Sequence, residues 1–117
     1  MDREETRTDL GKIRIHKKVI ASIAAIASGE IEGVKRIGGD FKSGLLELIG
    51  KKSLLAVKVE IDKNEEVKVE IPIIIKYEFN IPDVANKVQA NVRSALEKMT
   101  NLYIKDINVN VQGIERA

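Results

Sequence analysis

The stretch from Ile81 to Met99 constrains this chain more than any other. Ile81, Val84, Ala85, Val88, Val92, Ala95, Leu96 and Met99 recur with the period of one helical face. Asn86, Lys87, Gln89, Asn91, Arg93, Ser94, Glu97 and Lys98 fill the other side. Asn80 suits the N-cap and Pro82 the first turn, where a missing N–H costs nothing. Burying such a stripe is favourable by roughly 1.5–3 kcal/mol per large side chain. The helix therefore needs an apolar surface to lie on, and the flanking sequence supplies one.

That surface is a sheet. Val67 to Phe79 is apolar at every odd position, and Val57, Val59 and Ile61 alternate with Lys58 and Glu60. Leu54–Phe79 thus reads as a hairpin, and charge sets its register. Pairing Ile61 with Val67 brings Glu60 opposite Lys68 and Lys58 opposite Glu70. A two-residue slip brings like charges together at both places. The loop is then Asp62–Glu66. Pro72 cannot donate to a ladder, so a bulge or an edge is expected near it, opposite Ala56. Ile107, Val109 and Val111 alternate with Asn108, Asn110 and Gln112 as a closing strand. By parity, Tyr77 and Phe79 are expected to point inward.

Upstream, residues 1–9 are charged and without apolar rhythm, a tail ahead of a single domain over 10–117. Gly11–Ile15 reads as a short strand. His16–Ser28 reads as a helix with Val19, Ile20, Ile23, Ala24 and Ala27 as its core stripe. Ala21, Ala25 and Ile26 then leave its other side almost uncharged, which suits either deep burial or a second surface. Gly33–Ser53 carries five glycines around Leu45, Leu46, Leu48 and Ile49, with Lys51 and Lys52 at the edge. It is either a lid on the core or an apolar, basic-rimmed docking surface. The expected fold is α+β: one sheet of about four strands, two helices on one face, in the order β-α-β-β-α-β. A split βαβ topology is its default form.

Chemistry finds little purchase. The chain has no cysteine and one histidine, His16, too few for a zinc site. Gly39 and Gly44 have the first spacing of a phosphate loop, but Leu45 and Leu46 stand where Lys and Ser or Thr are needed. Glu60, Glu70 and Glu78 interleave with Lys58, Lys68 and Lys76 as cross-strand ion pairs rather than catalytic carboxylates. No catalytic, cofactor or metal residue is assigned. The net charge is only +2, from 20 basic and 18 acidic residues, which argues against a strong nucleic-acid footprint. The four aromatics are Phe41, Tyr77, Phe79 and Tyr103, too few for a base-stacking platform. A regulator binding nucleic acid through Lys12, Arg14, Lys58, Lys68 and Lys76 is the alternative reading. The tract Val19–Ala27 is too short to span a bilayer, and the absence of cysteine suits a reducing cytoplasm.

Three blocks carry a resemblance. Gly11-Lys-Ile-Arg-Ile leads into Val19-Ile-Ala-Ser-Ile-Ala and Glu30-Ile-Glu-Gly-Val34. Ile81-Pro-Asp-Val-Ala leads into Val88-Gln-Ala-Asn-Val92. Met99-Thr leads to Ile107-Asn-Val-Asn-Val-Gln-Gly-Ile114. Together they resemble the alkaline shock protein/Gls24 family of envelope stress proteins, found largely in Gram-positive bacteria. The resemblance implies a cytoplasmic, non-enzymatic protein that self-associates. It also implies attachment near the membrane through an anchored relative, or, for short members, a link to fatty-acid synthesis and lipid homeostasis. The family offers no agreed catalytic residues. Partner contacts are expected from Ala21, Ala25, Ile26, Leu45, Leu46, Leu48, Ile49, Lys51 and Lys52.

Overall fold

The computed structural model describes residues 17–38 and 56–116. Helix α1 covers 17–29, followed by strand β1 (Val34–Ile37). Strands β2 (Lys58–Ile61) and β3 (Glu66–Lys76) form the hairpin. Helix α2 (Ile81–Met99) and strand β4 (Tyr103–Glu115) complete the chain. The α+β class, the four-stranded sheet and the two helices all stand. The strand expected at Gly11–Ile15 lies outside the described residues. Val34–Ile37, which the glycines around it disguise, forms a strand.

The hairpin register is the one the charges select: Lys58 faces Glu70, Glu60 faces Lys68 and Ile61 faces Val67. Asp62 closes its turn by accepting from the N–H groups of Asn64 (2.8 Å) and Glu66 (2.9 Å). Glu65 takes the left-handed conformation that such a turn requires (φ 63°).

Strand β3 is central. Strand β4 runs parallel to it along one side, and β1 and β2 both lie antiparallel along the other. Val34–Ile37 pairs with residues 73–75 and Lys58–Ile61 with residues 67–70, so β1 and β2 share one flank end to end. Pro72 sits at the join. Its carbonyl accepts from Gly38 N–H at 2.8 Å, so its ring nitrogen faces the same flank, where the partner line is broken. A proline is thereby accommodated in a strand bonded on both sides, by an interruption rather than by the bulge or edge expected. Because β3 and β4 pair directly, β3–α2–β4 is a simple βαβ unit, not the split form.

Strand β4 carries two bulges. Val67 pairs with Ile104 but Lys68 with Asp106; Ile73 pairs with Val111 but Ile74 with Gly113. Each extra residue reverses the parity, so Ile104, Ile107, Val109, Val111 and Ile114 share the face carrying Val67, Val69, Ile71, Ile73 and Ile75. That face meets Ile20, Ala21, Ala24 and Ala27 of α1 and Val84, Val88, Val92 and Leu96 of α2 in one core.

Local bonds fix the helices. Asn80 Oδ1 accepts from Asp83 N–H at 2.9 Å, the N-cap read from the sequence. Thr100 Oγ1 donates to Leu96 O at 2.8 Å at the other end. Asn91 Nδ2 donates to Ala27 O at 2.8 Å, tying α2 to the last turn of α1. Gly33 is required by its place: φ is 106°, and a Cβ there would lie 2.7 Å from Val84 Cγ2.

Candidate interaction surface

The buried stripe of α1 is turned from the one the sequence suggests. Ile20, Ala21, Ala24, Ala27 and Ser28 are buried, while Val19 is 43% and Ile26 63% exposed. Ser28 can lie in this stripe, fully buried, because its hydroxyl donates to Ala24 O at 2.7 Å. A serine that bonds the preceding turn behaves as a small core residue. The side facing away from the core therefore carries Val19, Ile23 and Ile26, one above another at helical spacing, with Ile23 partly packed on the core.

At its first turn this surface meets the end of α2. Val19 and Ile20 line a groove of about 440 Å³ with Lys98, Met99, Thr100, Asn101 and Leu102. Met99 is 68% exposed, although its spacing places it at the margin of the α2 stripe, and neighbouring Tyr103 is 64% exposed. Tyr77 does not point inward. The chain leaves β3 at Lys76 and turns through Glu78 (φ 83°), breaking the alternation. Tyr77 instead lies under the Arg116 guanidinium, 4.3 Å from the ring centre. Phe79 does pack against the core.

Of the residues assigned to partner contacts, Ile26 is exposed, Ala25 is half-buried against the core, and Ala21 is buried at 6%. Ala21 is therefore a core residue and not part of the outer surface. Leu45, Leu46, Leu48, Ile49, Lys51 and Lys52 lie outside the described residues, as does His16. Val19, Met99 and Tyr103 are not among the expected contacts. The signal for Met99 and Tyr103 is their place around Thr100–Asn101, where the helical period ends and neither neighbour can cover them.

The opposite face of the sheet is charged but largely matched. Arg36 donates to Glu115 Oε2 at 2.8 Å across β3, over Ile74, which is buried on this face with Gly113 against it. Lys105 reaches Glu66 at 3.3 Å, and this hydrogen bond raises its pKa above the usual lysine value. The Asp62 carboxyl is held below its ordinary value, first by the Glu66 N–H. Among the described residues no group of three or more His, Cys, Asp or Glu is placed to hold a metal ion. No helix among them is long and apolar enough to cross a membrane.

Residues 5–116 match the model of the alkaline shock protein 23 family, described as having a cell envelope-related function. The chain belongs to that family. Among its relatives is YqhY of Bacillus subtilis (strain 168), 37% identical over 116 residues, covering 98% of this chain and 84% of YqhY. YloU of the same organism is 29% identical over 112 residues, covering 94% of this chain and 93% of YloU. A Streptococcus pyogenes protein named stress response regulator gls24 homolog is 27% identical over 107 residues, covering 90% of this chain and 59% of that one. The same fold occurs further afield. One variant of the MamM CTD superposes with a TM-score of 0.52 at 11% identity, covering 84% of this chain and 98% of that one. At that identity the likeness is one of fold alone.

Proposed function

We propose that this alkaline-shock-family chain is a non-enzymatic interaction or scaffold protein of the cell envelope, acting through self-association and protein partners. The observation that carries the reading is the outer side of α1, where Val19, Ile23 and Ile26 form an apolar row that the chain's own core leaves partly uncovered. Through Val19 the row adjoins exposed Met99 across the groove at the end of α2, and contiguous apolar surface of this kind is characteristic of protein contacts. The segment containing Leu45, Leu46, Leu48, Ile49, Lys51 and Lys52 is the second proposed contact. The relatives' names support a stress-response setting. Within it, a membrane-anchored relative or proteins of lipid synthesis are the proposed partners, met on the cytoplasmic side.

Light scattering over a wide concentration range tests this. Self-association that rises with concentration and weakens with Ile26→Asp is expected. A protein that stays monomeric throughout, and whose captured partners are unchanged by Ile26→Asp and Leu46→Asp, would refute it. The nucleic-acid reading is weaker, since Lys58 and Lys68 each face a glutamate. Binding by these residues would fall steeply with salt.

A further inference from the structure

We propose that the outer edge of β4 pairs, antiparallel and about a two-fold axis at Val109, with the same edge of a second copy. The proposal rests on the self-association in the reading above and gives it a second contact beside the α1 row. Among the described residues β4 is bonded along one side only, to β3. A strand this long with an open edge is a template for another strand.

The direction of its backbone groups follows from the pairing. In a parallel pair, the residues of β4 whose side chains enter the core turn their N–H and C=O groups away from β3. Those residues are Ile104, Ile107, Val109, Val111 and Ile114. Two bonds agree with this assignment. Arg93 Nη1 donates to Ile104 O at 2.9 Å and Gln89 Nε2 to Ile107 O at 2.7 Å, both from α2 over the outer edge. Each of these carbonyls retains a second lone pair. Beyond Ile107 no described side chain of α2 is bonded to the edge, and among the described residues Val109, Val111 and Ile114 are bare there.

The two bulges decide what can pair with this edge. They place two residues between Ile104 and Ile107, one between Ile107 and Val109, one between Val109 and Val111, and two between Val111 and Ile114. The spacing reads the same from either end, with Val109 at its centre. A regular strand would fall out of phase at each bulge and turn its side chains to the wrong face. A reversed copy of β4 meets each bulge with its own. Ile104 then faces Ile114 of the second copy, Ile107 faces Val111, and Val109 faces itself, all on the core side. On the other side Asn108 faces Asn110, Asp106 faces Gln112 and Tyr103 faces Glu115, with no like charges opposed. A register centred on Asn110 would gain Lys105 against Glu115. It would also set Ile107 against Gly113, which belongs to the opposite face. The register at Val109 keeps every inward side chain inward, and it extends the half-covered row Val109, Val111, Ile114 across the axis.

The test uses the full chain in sedimentation and cross-linking. Val109→Pro removes an N–H that β3 does not use, so the monomer should keep its melting temperature within a few degrees while association weakens at least tenfold. Asn108→Lys with Asn110→Lys opposes lysines at two places and should weaken association similarly. Asn108→Lys with Asn110→Glu should restore it, which a merely misfolded variant would not do, and it sets the new lysine opposite Glu70 of its own β3. The chain has no cysteine of its own. Val109→Cys should therefore oxidise to a covalent dimer, its Cα atoms about 5.5 Å apart. Val111→Cys, roughly 14 Å from its own copy, should not. Wild-type self-association that survives Val109→Pro and the double-lysine variant, with no Val109→Cys dimer, overturns the edge pairing. If Ile26→Asp then abolishes that association, the scaffold reading stands without it. A wild type monomeric at every concentration overturns both.

Discussion

Replacing Gly33 with alanine is expected to be among the most damaging single-methyl additions in this fold. Two costs combine. The backbone at Gly33 has φ 106°, a region that residues with a Cβ occupy at a cost of about 1–3 kcal/mol. The added carbon would also lie 2.7 Å from Val84 Cγ2 and 2.8 Å from Phe79 Cδ2. Val84 is buried at 3% and cannot swing aside, so overpacking adds about 1–3 kcal/mol. A loss of about 3–4 kcal/mol is thus expected. Unfolding entropy scales with length, so a chain of this size loses about 4 °C of Tm per kcal/mol, and the melting point should fall by roughly 12–16 °C. Gly29→Ala is the matched control, because nothing lies within 4 Å of its added carbon. That variant should be neutral, or stabilised by up to about 1 kcal/mol through the unfolded chain. Thermal unfolding followed by circular dichroism reads both. A Gly33→Ala protein melting within 3 °C of wild type would refute both the steric and the backbone reasoning.

Two further outcomes follow from the sheet. Pro72→Ala should cost less than about 1 kcal/mol, because the restored N–H faces the break between β1 and β2. Ile71→Pro, which deletes a donor on the β4 side, should cost about 3 kcal/mol or more, as measured by urea unfolding. The Asp62 carboxyl, depressed by the Glu66 N–H, contributes stability that is present above its unfolded pKa and lost as pH falls through its folded one. Lys105, raised by its bond to Glu66, contributes stability present below the usual lysine value and lost as pH rises through its folded pKa. Carboxyl titration by NMR should place Asp62 below an ordinary aspartate. The stability gap between wild type and Asp62→Ala should narrow as acid protonates that carboxyl, and a gap constant with pH would contradict the assignment.

Much of the fold is legible in the sequence because local patterns and tertiary needs agree. The α2 stripe, its Asn80 cap and the hairpin register set by Lys58, Glu60, Lys68 and Glu70 are each decided by near neighbours. Legibility fails where backbone irregularity shifts the phase. The bulges in β4 bring Ile104 and Ile114 onto a face that simple alternation from Ile107 would deny them. The turn at Glu78 swings Tyr77 outward for the same reason. Ser28 conceals the true orientation of α1, since its hydroxyl is satisfied within its own helix. The candidate surface inherits that error: by pattern Ala21 reads as outside and Val19 as inside, and the structure reverses both.

The interrupted flank of β3 has a consequence for how function is distributed. Strand β1 hands over to β2 beside Pro72, and the chain departs at Gly38 and returns at Ala56. These two points touch, since a Cβ on Gly38 would lie 3.4 Å from that of Ala56. A few glycines can therefore close the gap without displacing either strand, and β3 asks for no bond at Pro72 that the removed residues would have to supply. Shortening the connection about fivefold should also stabilise the chain by about 1.4 kcal/mol through loop-closure entropy. Replacing residues 39–55 with three glycines is thus expected to leave a cooperatively unfolding protein, its midpoint at or above that of wild type. The proposed capture of partners by Leu45, Leu46 and Ile49 should be lost and the proposed association through β4 should persist, so one variant separates the two proposals. If it unfolds without cooperativity, residues 39–55 are part of what holds the core together, and their proposed role as a docking segment must be abandoned.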